Sequence, residues 1–224
     1  QNTYDAIKEI RKKLNKNKSL IGFCGGPWTV ACYMINGKGD TKFNAAIEKV
    51  SKEKLLLVKL LDELVDLSVA HLYQQYISGC DTLMIFESWA GLVPKNEFNE
   101  ILTDPVNRII KNLKKLGVLA PIIVLPRGIN EKIIDYIDTV KMDIISVDYN
   151  IDMEWLINNL KTDIILQGNL DPNKINRGGM ELEDAVNKLL SNTKDRKHIY
   201  CSGHGLLPNT PVKNVKRVIE IIKN

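Results

Sequence analysis

The stretch "IGFCGGPWTVACYM", residues 21–34, begins as a strand-like apolar run, stops at Gly25-Gly26-Pro27 and resumes as an amphipathic segment carrying Trp28 and Tyr33. Glycine followed by proline is typical of a helix start, because proline's fixed φ and missing N–H suit the first helical position. The glycines could turn the chain, line a pocket for a flat ring or cradle a phosphate. A phosphate loop is not supported, because neither the GxGxxG spacing nor the lysine of GxxxxGK[ST] follows.

The same alternation of short apolar runs and longer amphipathic segments continues to the end of the chain. The pattern predicts strands over residues 19–24, 82–86, 122–125, 144–147, 164–166 and 198–201. It predicts helices over residues 43–78, 104–116, 131–140, 152–160, 182–191 and 212–223. Near-continuous apolar strands separated by helices predict an α/β fold with a parallel sheet covered by helices.

Periodicity alone is compatible with an open doubly wound sheet or with part of a (β/α)8 barrel. Polar residues and glycines follow directly after every predicted strand. In a barrel these residues would ring the carboxyl-terminal mouth, whereas an open sheet would gather them at one switch point. The segments concerned are Gly25-Gly26-Pro27, Glu87-Ser88-Trp89-Ala90-Gly91, Pro126-Arg127-Gly128, Asp148-Tyr149-Asn150, Gln167-Gly168-Asn169-Leu170-Asp171 and Ser202-Gly203-His204-Gly205.

Bulk composition limits the class of protein. The chain has 224 residues, of which 44% are hydrophobic and 26% charged, which is enough for one large core and predicts a single domain over residues 1–224. The net charge of +4 is mild and its lysines lack interleaved aromatics, which argues against nucleic-acid binding. The longest apolar run is too short to span a bilayer, so we expect no membrane segment. The chain opens with Gln1 and a charged helix-like run, without a signal-peptide pattern, and is expected to be a piece of something longer.

The four cysteines, Cys24, Cys32, Cys80 and Cys201, lie in or beside apolar runs without CxxC or Cys/His metal spacing. The pattern predicts reduced core thiols in a cytoplasmic protein, with no disulfide and no zinc site. No cofactor fingerprint was found either, so we expect no cofactor.

Four residues in or near the strand-end segments are candidates for packing or function. Trp28 is predicted to pack in the core, while Tyr33 is either a core tyrosine or a hydroxyl at the mouth. Ser88 has no GxSxG elbow around it, which favours a hydrogen-bonding hydroxyl over a nucleophile. His204 is the best single candidate, because Gly203 and Gly205 leave its imidazole with little side-chain cover.

Four segments carry a family resemblance. "GFCGGPWTVACYM", "LMIFESWAG", "LQGNLDP" and "SGHGLLPNTPVKNV" resemble, in order and spacing, the signature segments of the uroporphyrinogen decarboxylase family. The resemblance runs from about Leu20 to the C-terminus. It implies a (β/α)8 TIM barrel, usually a homodimer, that needs no cofactor. It also implies an enzyme of haem biosynthesis that removes the four acetate carboxyls of uroporphyrinogen as CO2 to give coproporphyrinogen.

The resemblance also implies roles for individual residues. The family's catalytic and substrate-binding tyrosine falls on Tyr33, and its substrate-binding serine and histidine fall on Ser88 and His204. We expect these three side chains to face one cavity at the carboxyl ends of the strands. Phe23 and Phe86 match apolar residues that border the tetrapyrrole.

Two further expectations concern the same pocket. Gly25 and Gly26 would make room for the macrocycle. Arg127, which no motif of the family covers, is predicted to bind substrate on its own chemistry, because a guanidinium at a strand end suits a polycarboxylate.

The family's Arg-Gln-Ala-Gly-Arg loop and its pyrrole-binding aspartate are not found in this sequence. By the resemblance, the chain is the C-terminal two-thirds of the barrel without its first strands, and alone it is expected to decarboxylate poorly or not at all. Two other functions stay open. One is a zinc-dependent corrinoid or thiol methyltransferase of the same superfamily, although "IIVLPRGIN" carries no His-x-Cys and His204 stands where those enzymes have cysteine. The other is a non-catalytic binding subunit.

Overall fold

The computed structural model of the protein describes residues 2–40 and 42–223, in which β-strands and α-helices alternate. The strands are Ile21–Gly25 (β1), Thr82–Glu87 (β2), Ile122–Pro126 (β3), Ile144–Ser146 (β4), Ile165–Leu170 (β5) and His198–Ser202 (β6). The helices are Asn2–Lys13 (α1), Pro27–Asn36 (α2), Asn44–Lys52 (α3), Lys54–Ile77 (α4), Asp104–Lys115 (α5), Ile133–Thr139 (α6), Met153–Asn159 (α7), Pro172–Arg177 (α8), Gly179–Thr193 (α9) and Val212–Lys223 (α10). None of these helices is both long enough and apolar enough to cross a membrane.

Contacts divide the described residues into two compact units. The first takes the chain up to Ile129 together with Asp135–Asp143, and the second takes Asn130–Ile134 and the chain from Ile144 onward. The first unit contains β1, β2 and β3, which pair in parallel in that order. The second contains β4, β5 and β6, which also pair in parallel in chain order. Consecutive parallel strands joined through helices are the (β/α) pattern that the sequence predicts.

The register of the first unit separates two faces of its sheet. Phe23 pairs with Met84 and Gly25 with Phe86, so these four residues share one face. Gly22, Cys24 and Glu87 belong to the other face, where a Cβ on Gly22 would come within 3.1 Å of Gln75 in α4. The second face is therefore covered by helices, and Phe23 on the first face is 58% exposed.

Every predicted strand is confirmed, with shifts of one or two residues at most ends. The prediction was wrong at β5, which continues through Gln167-Gly168-Asn169 to Leu170 because these residues keep their register with β6. The single helix predicted over residues 43–78 is also wrong. Glu53, at φ −135° and ψ 39°, is not helical and separates α3 from α4. The expected single domain over residues 1–224 stays a prediction.

The free edge of β1 is closed by one side chain of α4. In the described residues β1 pairs with β2 alone, which leaves backbone groups of Phe23 without a strand partner. The Phe23 N–H donates to Oε1 of Gln75 at 2.9 Å, and Nε2 of Gln75 donates to the Phe23 carbonyl at 2.8 Å. The amide thus supplies the donor and acceptor that another strand would supply.

Replacing Gln75 with leucine removes both bonds and leaves two backbone groups of Phe23 unsatisfied. We expect Gln75→Leu to lower the free energy of unfolding by about 1–3 kcal/mol. Urea denaturation followed by circular dichroism measures the loss. The control is Gln74→Leu, the same change at the exposed neighbouring position of α4. An equal loss in both variants would contradict the role given to the Gln75 amide.

Candidate functional site

The start of α2 is held by a carboxylate from the neighbouring strand. Helix α2 begins at Pro27, and its first backbone N–H groups have no partner within the helix. Glu87, the last residue of β2, is 0% exposed. Its Oε1 accepts from the N–H of Trp28 at 3.1 Å, and its Oε2 accepts from the N–H of Thr29 at 3.0 Å and from the Thr29 hydroxyl at 2.8 Å. Glu87 therefore caps α2 from a different part of the chain.

Gly26 makes this cap possible. A Cβ at position 26 would lie 2.2 Å from Cδ of Glu87 and 2.3 Å from its Oε1, which no side chain could tolerate. A Cβ on Gly25 would lie 2.9 Å from Cγ2 of Val30. The carboxyl group of Glu87 fills the space that a Cβ on Gly26 would take. The expectation that these glycines make room for a macrocycle stays a prediction.

The environment of Glu87 shifts its titration. Burial raises the pKa of Glu87 from its ordinary value of 4.5 to about 7, and the hydrogen bonds from Thr29 and Trp28 oppose that rise. In the described part of the chain Glu87 forms no ion pair that would offset the burial. The carboxyl group therefore changes its charge near neutral pH.

The loops after β2 and β3 are tied to the same place. The indole N–H of Trp28 donates to the Trp89 carbonyl at 2.9 Å, and the Trp89 N–H donates to the Thr29 hydroxyl at 3.3 Å. The Arg127 N–H donates to the carbonyl of Glu87 at 3.0 Å. Backbone and side-chain atoms of Glu87 thus reach the segments that follow all three strands of the first unit.

An aromatic row runs across these strand ends. The ring of Tyr33 meets that of Phe43 edge-on with centroids 5.2 Å apart, and Phe43 lies 4.9 Å from Trp89. The guanidinium carbon of Arg127 stands 5.9 Å from the Trp89 ring, a cation–π distance. Phe43, at φ +46°, adopts a left-handed conformation that bulky residues disfavour, and its fully buried ring occupies the middle of the row.

Phe23 and Phe86, the residues expected to border the ligand, lie together. Their rings are perpendicular with centroids 5.7 Å apart, on the sheet face opposite Glu87. Phe23 is 58% exposed although it lies in the middle of a strand. Phe86 is half-buried. An aromatic pair with one exposed ring is a surface suited to a large apolar ring system.

The first unit therefore brings together most of the predicted site residues. Trp28 is fully buried, which confirms the prediction that it packs. Tyr33 is 44% exposed, so it is not a core tyrosine. Ser88 is half-buried directly after β2, and Arg127 is half-buried directly after β3. Sequence reasoning missed Glu87 and Phe43, whose roles depend on contacts between segments far apart in the chain.

The second unit places His204 after β6. The imidazole is half-buried, and its Nδ1 lies 3.4 Å from the carbonyl oxygen of Gly205. The preceding residue is pressed against the loop after β4, since a Cβ on Gly203 would stand 2.3 Å from the backbone nitrogen of Tyr149. The expectation that His204 shares one cavity with Tyr33 and Ser88 stays a prediction.

Amide side chains organise the loop after β4. Nδ2 of Asn169 donates to the carbonyls of Asp148 and Ile151 at 3.1 and 2.6 Å. Two residues earlier in β5, Nε2 of Gln167 donates to the Ser146 hydroxyl at 3.3 Å. Asn169 and Gln167 are thus structural residues of the second unit, and their side chains contact β4 and the loop that follows it.

The cysteines are free thiols, as predicted. Cys24, Cys32 and Cys80 are buried, but the prediction of a core position was wrong for Cys201, which is exposed in β6. Burial raises the pKa of Cys24 to about 12 and raises that of Cys32 as well. Both groups are protonated thiols at neutral pH, and thiolate is the form that binds metals. Across residues 2–40 and 42–223 no three His, Cys, Asp or Glu side chains converge as a metal site would require.

Comparison with protein families gives a match over residues 1–224 to the family model described as "Uroporphyrinogen decarboxylase (URO-D)". Proteins named uroporphyrinogen decarboxylase are similar to the chain, and two of them serve as examples. The protein of Orientia tsutsugamushi is 38% identical over 224 residues, covering 99% of this chain and 65% of its own length. The protein of Rickettsia bellii is 34% identical over 227 residues, covering 100% of this chain and 65% of its own length. The chain therefore spans about two-thirds of the length of these relatives.

Solved structures share the fold. A methyltransferase from Methanosarcina mazei superposes with a TM-score of 0.83 at 19% identity, over 98% of this chain and 63% of that one. A B12-independent methionine synthase from a Shewanella species gives a TM-score of 0.60 at 17% identity, over 98% and 66% of the two chains. At these identities the likeness shows the fold alone. It supports the predicted (β/α) barrel class over an open sheet.

The pH dependence of stability tests the state of Glu87. The folded protein holds a proton on this group up to about pH 7, whereas the unfolded chain releases it near 4.5. The folded state therefore binds more protons between these values, and stability falls as the pH rises through that window. At about 1.4 kcal/mol per pKa unit, the loss attributable to Glu87 is about 3 kcal/mol.

Urea denaturation between pH 4.5 and 8 measures this loss, and Glu87→Gln should remove it from the profile. Burial lowers the pKa of His198 to about 4, which gives a slope of opposite sign below pH 6.5. That slope is common to wild type and variant and cancels in their difference. Glu63→Gln, the same change at an exposed site on α4, should leave the profile as it is in the wild type. Parallel profiles for wild type and Glu87→Gln would refute the raised pKa.

The close approach of Gly203 to the backbone of Tyr149 predicts that a side chain at position 203 is destabilising. Gly203→Ala should lower the free energy of unfolding by about 1–3 kcal/mol, because its Cβ would overlap the backbone of the loop after β4. Gly205→Ala is the matched control, since a Cβ there meets nothing within 4 Å. Thermal unfolding of the two variants compares them. A Gly203→Ala protein as stable as the control would show that this loop can move aside freely.

Proposed function

The chain belongs to the uroporphyrinogen decarboxylase family, and on that premise we propose that it serves the cofactor-independent decarboxylation of the four acetate side chains of uroporphyrinogen to coproporphyrinogen. The observation that carries this proposal is the aromatic pair formed by Phe23, which is 58% exposed, and the half-buried Phe86. It offers an apolar surface for a macrocycle, with Tyr33, Ser88 and Arg127 on the segments around it. An apolar wall with a few polar groups at its rim is the usual composition of a small-molecule site.

The proposed chemistry needs no metal or organic cofactor. Breaking the bond between the acetate methylene and its carboxylate releases CO2 and leaves an electron pair. A pyrrole ring protonated at its α-carbon accepts that pair. A proton then added to the methylene carbon converts it to a methyl group, and loss of the α-carbon proton restores the pyrrole, so that one proton replaces each carboxylate. The protein then has only to bind and orient the substrate and to deliver protons.

Each site residue has a role in this proposal. The Tyr33 hydroxyl, on a 44% exposed side chain, hydrogen-bonds the reacting acetate or another carboxylate. Ser88 and His204 hold acetate or propionate groups. Arg127 forms no ion pair within the described part of the chain, so its guanidinium can pair with a substrate carboxylate while it rests on Trp89.

The proposal extends to the setting of the protein. We infer that the protein is a cytoplasmic homodimer and that residues 1–224 act as one domain of the barrel. We also infer that it binds a tetrapyrrole and neither a nucleic acid nor a membrane. The mild charge of +4 and the reduced cysteines support this inference. Sedimentation of the purified chain measures the oligomeric state.

Product binding tests the site without requiring turnover. Coproporphyrin, the stable oxidised product, should quench the tryptophan fluorescence on binding. Arg127→Gln should weaken binding by roughly tenfold or more, because a charge-assisted hydrogen bond is worth about 1.5–3 kcal/mol. Lys115→Gln removes the same charge from an exposed position of α5 and should bind as the wild type does.

An anaerobic assay with uroporphyrinogen, analysed as oxidised porphyrins by chromatography, tests the reaction itself. The proposed reaction gives intermediates with seven, six and five carboxylates followed by coproporphyrin, and residues 1–224 alone should form them slowly or not at all, because the family's arginine loop and aspartate are not found in this sequence. A chain that neither binds coproporphyrin nor forms these products would overturn the proposed function. Equal binding by Arg127→Gln and wild type would overturn the role of Arg127 alone.

A further inference from the structure

We propose that Glu87 is a positioning residue of the site, which holds Tyr33, Ser88 and Arg127 in one arrangement. This inference rests on the proposed function and adds to it a residue that touches no substrate. Glu87 lies on the helix-covered face of the sheet, opposite Phe23 and Phe86. It acts on the site through the segments that follow β1, β2 and β3.

The first connection runs through α2. Both carboxylate oxygens of Glu87 accept from the first turn of this helix, at distances between 2.8 and 3.1 Å. A carboxylate at a helix N-terminus also meets the positive end of the helix dipole. Tyr33 lies on the same helix, one turn beyond Thr29. Any displacement of the helix start is therefore passed to the Tyr33 ring.

The second connection runs through the main chain. Glu87 is covalently joined to Phe86 and Ser88, and its carbonyl accepts from the N–H of Arg127 at 3.0 Å. Thr29 completes the link, because its hydroxyl donates to Glu87 and accepts from the Trp89 N–H at 3.3 Å. The carboxylate, the Thr29 hydroxyl and the loop after β2 thus form one hydrogen-bonded unit.

A cap that served stability alone would need no such arrangement. Serine, threonine or asparagine at position 26 would cap α2 locally without burying a charge. The chain has glycine there, and the space goes to a carboxylate from another strand. A buried charge without a cation is costly, so its gain lies in joining separate segments that a local cap could not join.

Three titratable side chains face Glu87, and none of them changes its charge near pH 7. Cys24 on β1, Cys32 on α2 and Tyr136 on α6 all have a raised pKa, which burial causes first and the charge of Glu87 increases. All three are neutral near pH 7. A change in the charge of Glu87 is therefore not compensated by its titratable neighbours.

Coproporphyrin binding by four variants tests the proposal. Glu87→Gln keeps one acceptor oxygen but turns an amide N–H₂ toward a backbone donor, and it should weaken binding by tenfold or more. Thr29→Val removes the hydroxyl link and should act in the same direction, while Thr29→Ser restores the link and should recover most of the affinity. Glu63→Gln controls for the loss of a surface carboxylate. Binding by Glu87→Gln equal to that of the wild type, or equally weak binding by Thr29→Ser and Thr29→Val, would overturn the proposal.

A ligand-free measurement separates this inference from the proposed function. Fluorine NMR of 5-fluorotryptophan protein reports on three tryptophans, of which Trp28 and Trp89 contact the cluster and Trp155 lies in the second unit. The signals of Trp28 and Trp89 should shift in Glu87→Gln and Thr29→Val and return in Thr29→Ser, with Trp155 unchanged. Unmoved signals overturn the positioning role. If the variants show these shifts but the wild type binds no coproporphyrin, the proposed function is contradicted and the positioning of the loops by Glu87 stands.

Discussion

The contact on which the first unit depends is that between the buried carboxylate of Glu87 and the start of α2. Two backbone N–H groups and one hydroxyl converge on it at 2.8–3.1 Å, and no cation does so within the described residues. Hydrogen bonds to an ionised acceptor are about twice as strong as neutral ones, which offsets part of the cost of burial. The remaining cost appears as the pKa of about 7. The glycine at position 26 is a requirement of this contact.

The two-residue period of a strand explains how one short segment serves both the core and the surface. Phe86 and Glu87 are neighbours in β2 and point to opposite faces of the sheet. Phe86 joins Phe23 on the exposed face, while Glu87 turns inward to the helices. Ser88 lies beyond the end of β2, so the alternation of faces does not fix the direction of its side chain. Insertion of one residue into β2 would exchange these environments and bury a phenylalanine where the helix needs an acceptor.

Much of the fold could be predicted from the sequence, because strands buried on both faces are read directly as apolar runs and helix starts as capping residue and proline. The break between α3 and α4 at Glu53 leaves no such mark, since the segment keeps a helical composition on both sides. The extension of β5 was missed because glycine and asparagine read as loop residues, whereas pairing with β6 holds them in the ladder.

Ser88 and Arg127 directly follow strands, and their position along the chain explains why both are half-buried at the strand ends. The roles expected of Tyr33 and Ser88 came from the family resemblance. Glu87 could not be predicted, because its sequence position is that of any carboxylate at a strand end. Only the approach of α2 removes it from water. Phe43 was missed for the same reason, since its place between Tyr33 and Trp89 depends on a loop that brings it back across the strand ends.

The second unit holds its loops by contacts of a different kind. Its loop after β4 is held by the neutral amide of Asn169 and by backbone contact at Gly203, neither of which titrates. Its half-buried His198, with a pKa lowered to about 4, is already neutral throughout the range in which Glu87 ionises. Among the described residues the raised pKa of Glu87 is the large shift that falls near neutrality. A change of charge there reaches the segments that follow β1, β2 and β3 together, because the carboxylate holds α2 and the carbonyl of Glu87 accepts from the Arg127 N–H.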